Sequence, residues 1–192
     1  MNDFFKNDSF YDYILLKLNK TEIERNDLNE IEEISIKDNK NIKFEIRDLE
    51  KFKNLKSLTI QDFKINNYET NTINRCKKIE NLQFINCKFN SKSRLLNNNI
   101  RTLVIDNCKN LNSKYFSKLE KVTNLKIYNI KKVDSKRISK LSNLEKLTLN
   151  NTKVKNSLYL INLNRLNIMN LKGSKYNKII IELLKNKLQI ER

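Results

Sequence analysis

Three cysteines are the first residues of this chain whose types and spacing suggest chemistry. Cys87 and Cys108 end two similar segments, "NLQFINC" and "TLVIDNC", and Cys76 precedes both of them. Two thiols in equivalent places could form a metal or redox pair. A structural zinc site needs four ligands, however, and the chain has no histidine to complete one. We therefore expect all three thiols to be reduced and buried in the core.

Residues that support catalysis are otherwise scarce. Histidine, the most usual general base, is absent. No glycine-rich phosphate loop and no metal-ligand spacing is present. The segment "EIERNDLNEIEE" at 22–33 is dense in carboxylates, and we interpret it as a solvated surface. The sequence thus predicts a protein that is not an enzyme and has no cofactor and no metal.

The charge of the chain is strongly positive and unevenly distributed. The formal net charge is +17, with a sequence pI of about 9.7. Residues 1–50 carry 8 basic and 13 acidic side chains, whereas residues 51–192 carry 31 and 9. Such a charge favours anionic partners. The chain also has one glycine, no proline and no alanine, as an AT-rich genome would produce, so that codon bias is an equally open explanation.

The densest basic segment is "KKVDSKRISK", with Lys131, Lys132, Lys136, Arg137 and Lys140. It gives one alternative hypothesis, electrostatic binding of nucleic acid or an anionic membrane. Binding of single strands usually adds stacking aromatic side chains in a groove. The aromatic residues of this chain fall mostly in the slots of an apolar pattern instead, which makes nucleic acid the weaker hypothesis.

That apolar pattern recurs along nearly the whole chain and must position every residue named above. In "LEKLTLNNT", apolar residues occupy slots 1, 4 and 6, and a small residue occupies slot 9. Eight copies follow this pattern at steps of 19 to 24 residues. Their first slots are Ile31, Leu55, Ile79, Ile100, Val122, Leu144, Leu163 and, in a degraded last copy, Lys185. Their ninth slots include Asn39, Phe63, Cys87, Cys108, Ile130, Thr152 and Leu171.

The pattern resembles that of leucine-rich repeat proteins, L-x-x-L-x-L-x-x-N/C-x-L, in the short-period branch of the bacterial internalins. The resemblance implies an α/β solenoid, a horseshoe of about eight repeats with short parallel strands on the concave face. Residues two apart in a strand face the same side, so slots 4 and 6 point inward together. A step of about 22 residues leaves room only for 3₁₀ or short helical returns on the convex face.

We expect one domain over residues 1–192. Residues 1–30 are predicted to form a helical N-terminal cap, with Asp8 or Ser9 capping the helix. The repeats follow over 31–171, and a C-terminal cap with the degenerate last copy covers 172–192. Because glycine and proline are nearly absent, asparagines at 66–67, 97–99 and 150–151 are predicted to form turns.

The third, fifth and seventh slots of each copy are predicted to line the concave face. Eight strands spaced ~4.8 Å apart would make this face roughly 34 Å long, enough for an interface of ~800 Å². Over 24 such positions the charges nearly cancel, and Ile85, Val104, Tyr128 and Met169 stand among amides and hydroxyls. The predicted partner-binding residues are Ile85, Val104, Asp106, Lys126, Tyr128, Lys146 and Arg165.

These patterns predict a protein-interaction module that binds another protein through the concave face. The start of the sequence shows no apolar signal segment, so we expect a cytoplasmic protein. A secreted, internalin-like adhesin or effector is a further alternative, and it requires an export route. The identity of the partner and the oligomeric state do not follow from the sequence.

Overall fold

Twelve short strands and four helices follow one another along the part of the chain that the computed structural model describes. These residues are 5, 7–38, 44–90, 94–97, 99–111, 115 and 118–191. The strands are β1 (Glu33–Lys37), β2 (Ser57–Gln61), β3 (Lys64–Ile65), β4 (Asn81–Ile85), β5 (Lys88–Phe89), β6 (Thr102–Asp106), β7 (Asn124–Tyr128), β8 (Val133–Asp134), β9 (Lys146–Asn150), β10 (Val154–Lys155), β11 (Ile168–Asn170) and β12 (Gln189–Glu191). The helices are α1 (Asp8–Leu18), α2 (Asn67–Arg75), α3 (Ser135–Ile138) and α4 (Ile179–Leu184), with 3₁₀ segments at Asp27–Asn29, Ile46–Lys51 and Ser157–Asn162.

One parallel sheet connects the repeat copies. Eight of the described strands form it in the order β1-β2-β4-β6-β7-β9-β11-β12, so each strand pairs with that of the next copy. Two smaller parallel pairs, β3 with β5 and β8 with β10, follow the strands at one edge. The predicted α/β solenoid of short parallel strands is therefore confirmed.

The core lies behind the sheet and is built from the inward slots. Along the five-residue strands exposed and buried residues alternate, as a period of two requires. Leu58 and Ile60, in slots 4 and 6 of the second copy, are fully buried. Burial of one such side chain is worth about 1.5–3 kcal/mol, and stacking of the copies repeats that gain along the chain.

The return segments close the other side of the core with short helical pieces. Leu49 and Leu160 are fully buried within 3₁₀ segments, and Ile73 is fully buried within α2. The α2 helix, nine residues long, begins at a capping box, in which Asn66 accepts a bond from Tyr68 N–H and Glu69 accepts one from Asn66 N–H. Predicted turn residue Asn66 therefore serves as a helix cap, whereas Asn98 lies outside the described residues.

The N-terminal helix α1 packs its apolar side on the first return segment. The Phe10 ring lies 4.4 Å from that of Phe44 and 6.0 Å from that of Phe52, measured between centroids. The N-cap is Asn7, whose side chain accepts a bond from Phe10 N–H, so the prediction of Asp8 or Ser9 as cap is wrong by one or two residues. The role of residues 1–30 and 172–192 as caps stays a prediction.

The last two copies lie in a different register from the one that the sequence predicts. Ile168 pairs with Lys146, and Met169 pairs with the inward Leu147. Slot 1 of the seventh copy is therefore Leu166 and not Leu163, and the step is 22 residues instead of 19. In the last copy Ile190 pairs with Met169, which puts Lys187 and not Lys185 in slot 1.

The incorrect register arose because "LNRLNIMNL" matches the repeat pattern better than "LNIMNLKGS" does. Parallel pairing decides otherwise, since Met169 and not Leu166 aligns with the inward Leu147 of β9. Ser174 takes the ninth slot in the true register. Its hydroxyl accepts a bond from Thr152 N–H and donates one to Leu149 C=O, as the ninth-slot residues of other copies do.

An aromatic group fills the middle of the solenoid. Phe84 takes slot 6 of the third copy, where most copies have isoleucine or leucine. Its ring lies 5.1 Å from that of Phe89, and the Phe89 ring lies 5.0 Å from that of Tyr115. All three side chains are buried, and they form an aromatic part of the one continuous core.

Candidate binding face

The outward residues of the sheet form a continuous surface, which we call the strand face. It consists of the first, third and fifth residues of β1, β2, β4, β6, β7 and β9, and each of them is partly or fully exposed. Its charged members are three lysines and two acids: Lys37, Lys126 and Lys146, and Glu33 and Asp106. The predicted near-neutral surface of amides and hydroxyls is thus present on these six strands.

Six of the seven predicted binding residues lie together on four adjacent strands of this face. They are Ile85 on β4, Val104 and Asp106 on β6, Lys126 and Tyr128 on β7, and Lys146 on β9. Asp106 has Ile85 as its pairing partner on one side and Tyr128 on the other. Val104 and Lys126 pair in the row beside them. Apolar, aromatic and charged side chains therefore alternate over neighbouring strands.

Arg165 and Met169 do not lie on the strand face, so their predicted placement is wrong. Arg165 precedes β11, in the turn ahead of slot 1, and its guanidinium donates to Asn143 Oδ1 at 2.7 Å. Met169 is fully buried. The shifted register puts Ile168 and Asn170 on the outward side of β11 in their place.

Asp106 and Tyr128 form the most constrained part of the face. Both are half-buried, and burial together with the nearby Asp106 carboxylate raises the pKa of Tyr128 above its ordinary value. Asp106 Oδ1 accepts a bond of 2.8 Å from the side-chain amide of Asn129. The phenol of Tyr128 therefore stays protonated over the physiological range and can donate a hydrogen bond.

A column of asparagines lies at one end of the strand face, and of its members sequence analysis predicted only Asn151 as a turn residue. In the second to sixth copies, the residue directly after the five-residue strand adopts a left-handed conformation. These residues are Asp62, Asn86, Asn107, Asn129 and Asn151. Asparagine and aspartate tolerate this region better than other residues with a Cβ. Backbone N–H groups in the column donate to the strand-end carbonyl of the next copy, as from Asn107 to Tyr128 at 3.1 Å.

Side chains of this asparagine column also bond to one another. Asn107 donates to Asn86 Oδ1 at 2.8 Å, and Asn151 donates to Asn129 Oδ1 at 3.1 Å. The signal in the sequence was an aspartate or asparagine in slot 8 of each of the first six copies. Gly173 occupies that slot in the seventh copy with a φ of 68°. The only glycine of the chain thus stands where the backbone requires left-handed geometry.

The cysteines are free and buried, as the sequence predicts. Cys108 Sγ accepts a bond from Cys87 N–H at 3.3 Å, and the Cys87 thiol bonds to Ile60 C=O at 3.4 Å. Where the ninth slot is cysteine, threonine or serine, it therefore satisfies backbone groups inside the coil, whereas Phe63 and Ile130 fill it with apolar side chains. Cys76 ends α2, and burial raises the pKa of its thiol to about 11. In the described residues no three metal-binding side chains come together.

The basic residues of the alternative hypothesis separate into two groups. Lys131 and Lys132 lie at the sheet edge just before β8, whereas Lys136 and Arg137 belong to α3 on the return side. Lys136 Nζ lies 5.7 Å from the centre of the Tyr159 ring. Lys140 is exposed beyond the end of α3. These five residues therefore do not form one basic surface.

The architecture defines a leucine-rich repeat fold, and solved structures confirm it. An internalin, InlF, from Listeria monocytogenes matches with a TM-score of 0.65 at 18% identity, covering 99% of this chain and 63% of that one. Internalin C2 from the same organism matches with a TM-score of 0.65 at 16% identity, covering 97% and 92%. A leucine-rich repeat protein of Leptospira interrogans matches with a TM-score of 0.57 at 16% identity, covering 76% and 39%.

The likeness to these structures is one of fold. This chain spans less than two thirds of the length of the InlF structure. No protein-family model matches the sequence, and no curated protein matches it. Within the described residues, no helix has both the length and the apolar character to cross a bilayer.

Proposed function

We propose that this chain is a protein-interaction module that binds a protein partner through the strand face. The observation that carries the proposal is the cluster of Ile85, Asp106 and Tyr128 on three paired strands, with Val104 and Lys126 beside them. Tyrosine and aliphatic side chains are typical anchors of protein interfaces, Ile85, Val104 and Tyr128 are half-exposed here, and neighbouring charges set specificity. The leucine-rich repeat fold supports the same function, since stacked repeats create extended binding surfaces.

The proposal is one of binding and not of catalysis. Amides, hydroxyls and apolar groups dominate the strand face, and Asp106 is the only carboxylate in the central cluster. Its oxygen already accepts the Asn129 amide. These groups fit recognition of a protein surface, in which a few anchors carry most of the binding energy. Arg165 has no part in the proposed interface because it lies before β11.

A matched pair of double variants tests the proposal. Val104→Asp with Tyr128→Ala changes the centre of the strand face, and Leu158→Asp with Tyr159→Ala makes the same change on an exposed return segment. Partners captured from a native lysate are compared by mass spectrometry. We expect the first variant to lose a partner that the second retains. Equal retention by both folded variants would remove the strand face as the binding site.

We also propose a cytoplasmic location. Three free cysteines buried in the core fit a reducing compartment. Fractionation of the native cells tests this part: enrichment of the chain in the secreted or cell-surface fraction would contradict it and would favour the adhesin or effector alternative.

A further inference from the structure

Slot 10 of the repeat is a lysine in all seven copies that contain this slot. With the seventh copy in its true register, these residues are Lys40, Lys64, Lys88, Lys109, Lys131, Lys153 and Lys175, which we call the lysine column. Lys40 lies outside the described residues. About one residue in six is lysine in this chain. Codon bias raises the lysine content everywhere, but it does not place a lysine in one slot of seven consecutive copies.

Strand pairing puts these lysines in a line along one edge of the sheet. Lys88 pairs with Lys64 on one side and with Lys109 on the other, and Lys153 pairs with Lys175. Every described member is exposed, although its neighbours are buried, as Cys87 and Phe89 are around Lys88. At ~4.8 Å per strand, the six described lysines form a row roughly 24 Å long.

The fifth copy contributes two lysines to the row, Lys131 and Lys132, where the other copies contribute one. Val133 pairs with Val154, which places Lys132 opposite Lys153 and leaves Lys131 as one extra residue. An open groove of ≈ 910 Å³ runs along this part of the column. Its lysines are Lys109, Lys131, Lys132, Lys153 and Lys155.

Within the described residues no ion pair neutralises this row, although Asp134 lies opposite Lys155 in the strand pairing. None of the ion pairs there includes a member of the column, Lys132 or Lys155. Asp134, the acid beside the groove, already accepts bonds from Asn156 and from Lys136 N–H. Contact with Lys155 lowers the pKa of Lys132. Like charges on neighbouring strands repel one another, so the column costs stability in the free protein.

We propose that the lysine column binds duplex nucleic acid through the phosphate backbone, without sequence preference. A row of exposed ammonium groups matches a linear polyanion, and lysine interacts with phosphate as a point charge. Phe63 and Phe89, beside Lys64 and Lys88, are buried, and Tyr176, beside Lys175, is half-buried, so the described row lacks a series of exposed rings on which single-stranded bases could stack. The row is one residue wide, whereas a bilayer presents a plane.

An acidic polypeptide fits the row less well for a related reason. Protein interfaces depend on buried aromatic or aliphatic anchors at their centre. The exposed large apolar side chains of the described chain, such as Leu16, Leu158 and Ile179, lie on α1, the return segments and α4 instead. The site is separate from the strand face, so either proposal can fail without the other.

Two variants of equal charge test the site. The column variant carries Lys88→Gln, Lys109→Gln, Lys153→Gln and Lys175→Gln. The control variant carries Lys17→Gln, Lys118→Gln, Lys140→Gln and Lys178→Gln, at exposed lysines outside the column. Binding of a labelled duplex of about 20 base pairs is followed by fluorescence anisotropy between about 50 and 200 mM NaCl.

We expect the column variant to bind the duplex at least 30-fold more weakly than the control at about 100 mM salt, with a salt slope smaller by about 3 to 4. It is expected to fold at least as stably, because like-charge repulsion is relieved, and circular dichroism checks this. Equal weakening of both variants would overturn the proposal, since net charge alone would then explain binding. Absence of duplex binding at about 50 mM salt would do the same. Column-dependent binding of phosphatidylserine vesicles or polyglutamate without duplex binding would also overturn it.

Discussion

The Asn151 side chain occupies the space into which a side chain at position 173 would project. A Cβ on Gly173 would lie 2.2 Å from Asn151 Oδ1, and Asn151 holds that place by donating to Asn129. The asparagine column therefore ends at a residue where a Cβ is disfavoured for two reasons, the left-handed φ of 68° and the amide beside it. The two causes can be separated by mutation.

Gly173→Ala is expected to lower the free energy of unfolding by about 1–3 kcal/mol, because a left-handed residue with a Cβ costs 1–2 kcal/mol before any clash. In an Asn151→Ala background the same substitution should cost less, since only the backbone strain remains. Chemical denaturation of the four proteins of this double-mutant cycle measures the difference. Equal costs in both backgrounds would show that the amide does not restrict position 173.

The register of the seventh copy predicts opposite tolerances for two adjacent residues. Met169 is fully buried, whereas Ile168 is half-exposed on the outward side. Met169→Ala should therefore lower the free energy of unfolding by about 2–5 kcal/mol, and Ile168→Ala by well under half of that. Denaturant unfolding decides between the registers, because the sequence-predicted register requires the reverse order.

The buried Cys76 thiol predicts a contribution to the pH dependence of stability. Its pKa in the folded state is raised from 9.0 to about 11, chiefly by burial, so the folded state holds the proton more tightly than the unfolded state. This contribution is complete below pH 9 and is lost as the pH rises towards 11, by an amount of about 2–3 kcal/mol. Cys76→Ala should show a shallower loss of stability over this range than the original chain, measured by urea unfolding. Parallel curves for the two proteins would contradict the burial of this thiol.

The pKa of Tyr128 on the strand face is expected to depend on the neighbouring Asp106 carboxylate. Burial and the Asp106 carboxylate both raise the pKa of Tyr128, and Asp106→Asn removes the second cause alone. The pKa of Tyr128 should therefore fall in this variant and remain above its ordinary value, as followed by NMR of the ring protons. Glu145→Gln, which removes a carboxylate ahead of β9, serves as control and should leave Tyr128 unchanged. If Asp106→Asn left the pKa of Tyr128 unchanged while Glu145→Gln lowered it, the proximity of Asp106 and Tyr128 in the folded chain would be contradicted.

Much of the fold follows from the sequence because one period governs it. Slots 1, 4 and 6 predict six copies in correct register, and the outward slots predict six of the seven proposed binding residues on the strand face. The seventh copy was misplaced because two overlapping apolar patterns compete there. The 19-residue step was the sign of the error in the sequence, because every other predicted step is between 21 and 24 residues.

The asparagine column and the lysine column were harder to predict for a physical reason. Apolar slots are recognised from their regular spacing in the sequence, whereas a left-handed turn residue or an exposed charge is recognised only when the copies are aligned in register. Arg165 shows the same limitation: its outward position depended on a register that strand pairing contradicts. Charge counts alone could not separate the lysine column from the lysine-rich background.

The aromatic group of Phe84, Phe89 and Tyr115 has a consequence for how the chain finds its fold. A solenoid of similar copies could pair each strand with the wrong neighbour, one whole copy out of step, and bury nearly the same aliphatic side chains. The rings disfavour such a slip, because it would set Phe84 against a neighbouring coil that lacks the Phe89 and Tyr115 rings. The three rings thus favour the correct pairing of the third and fourth copies, and the remaining copies then pair in register from there.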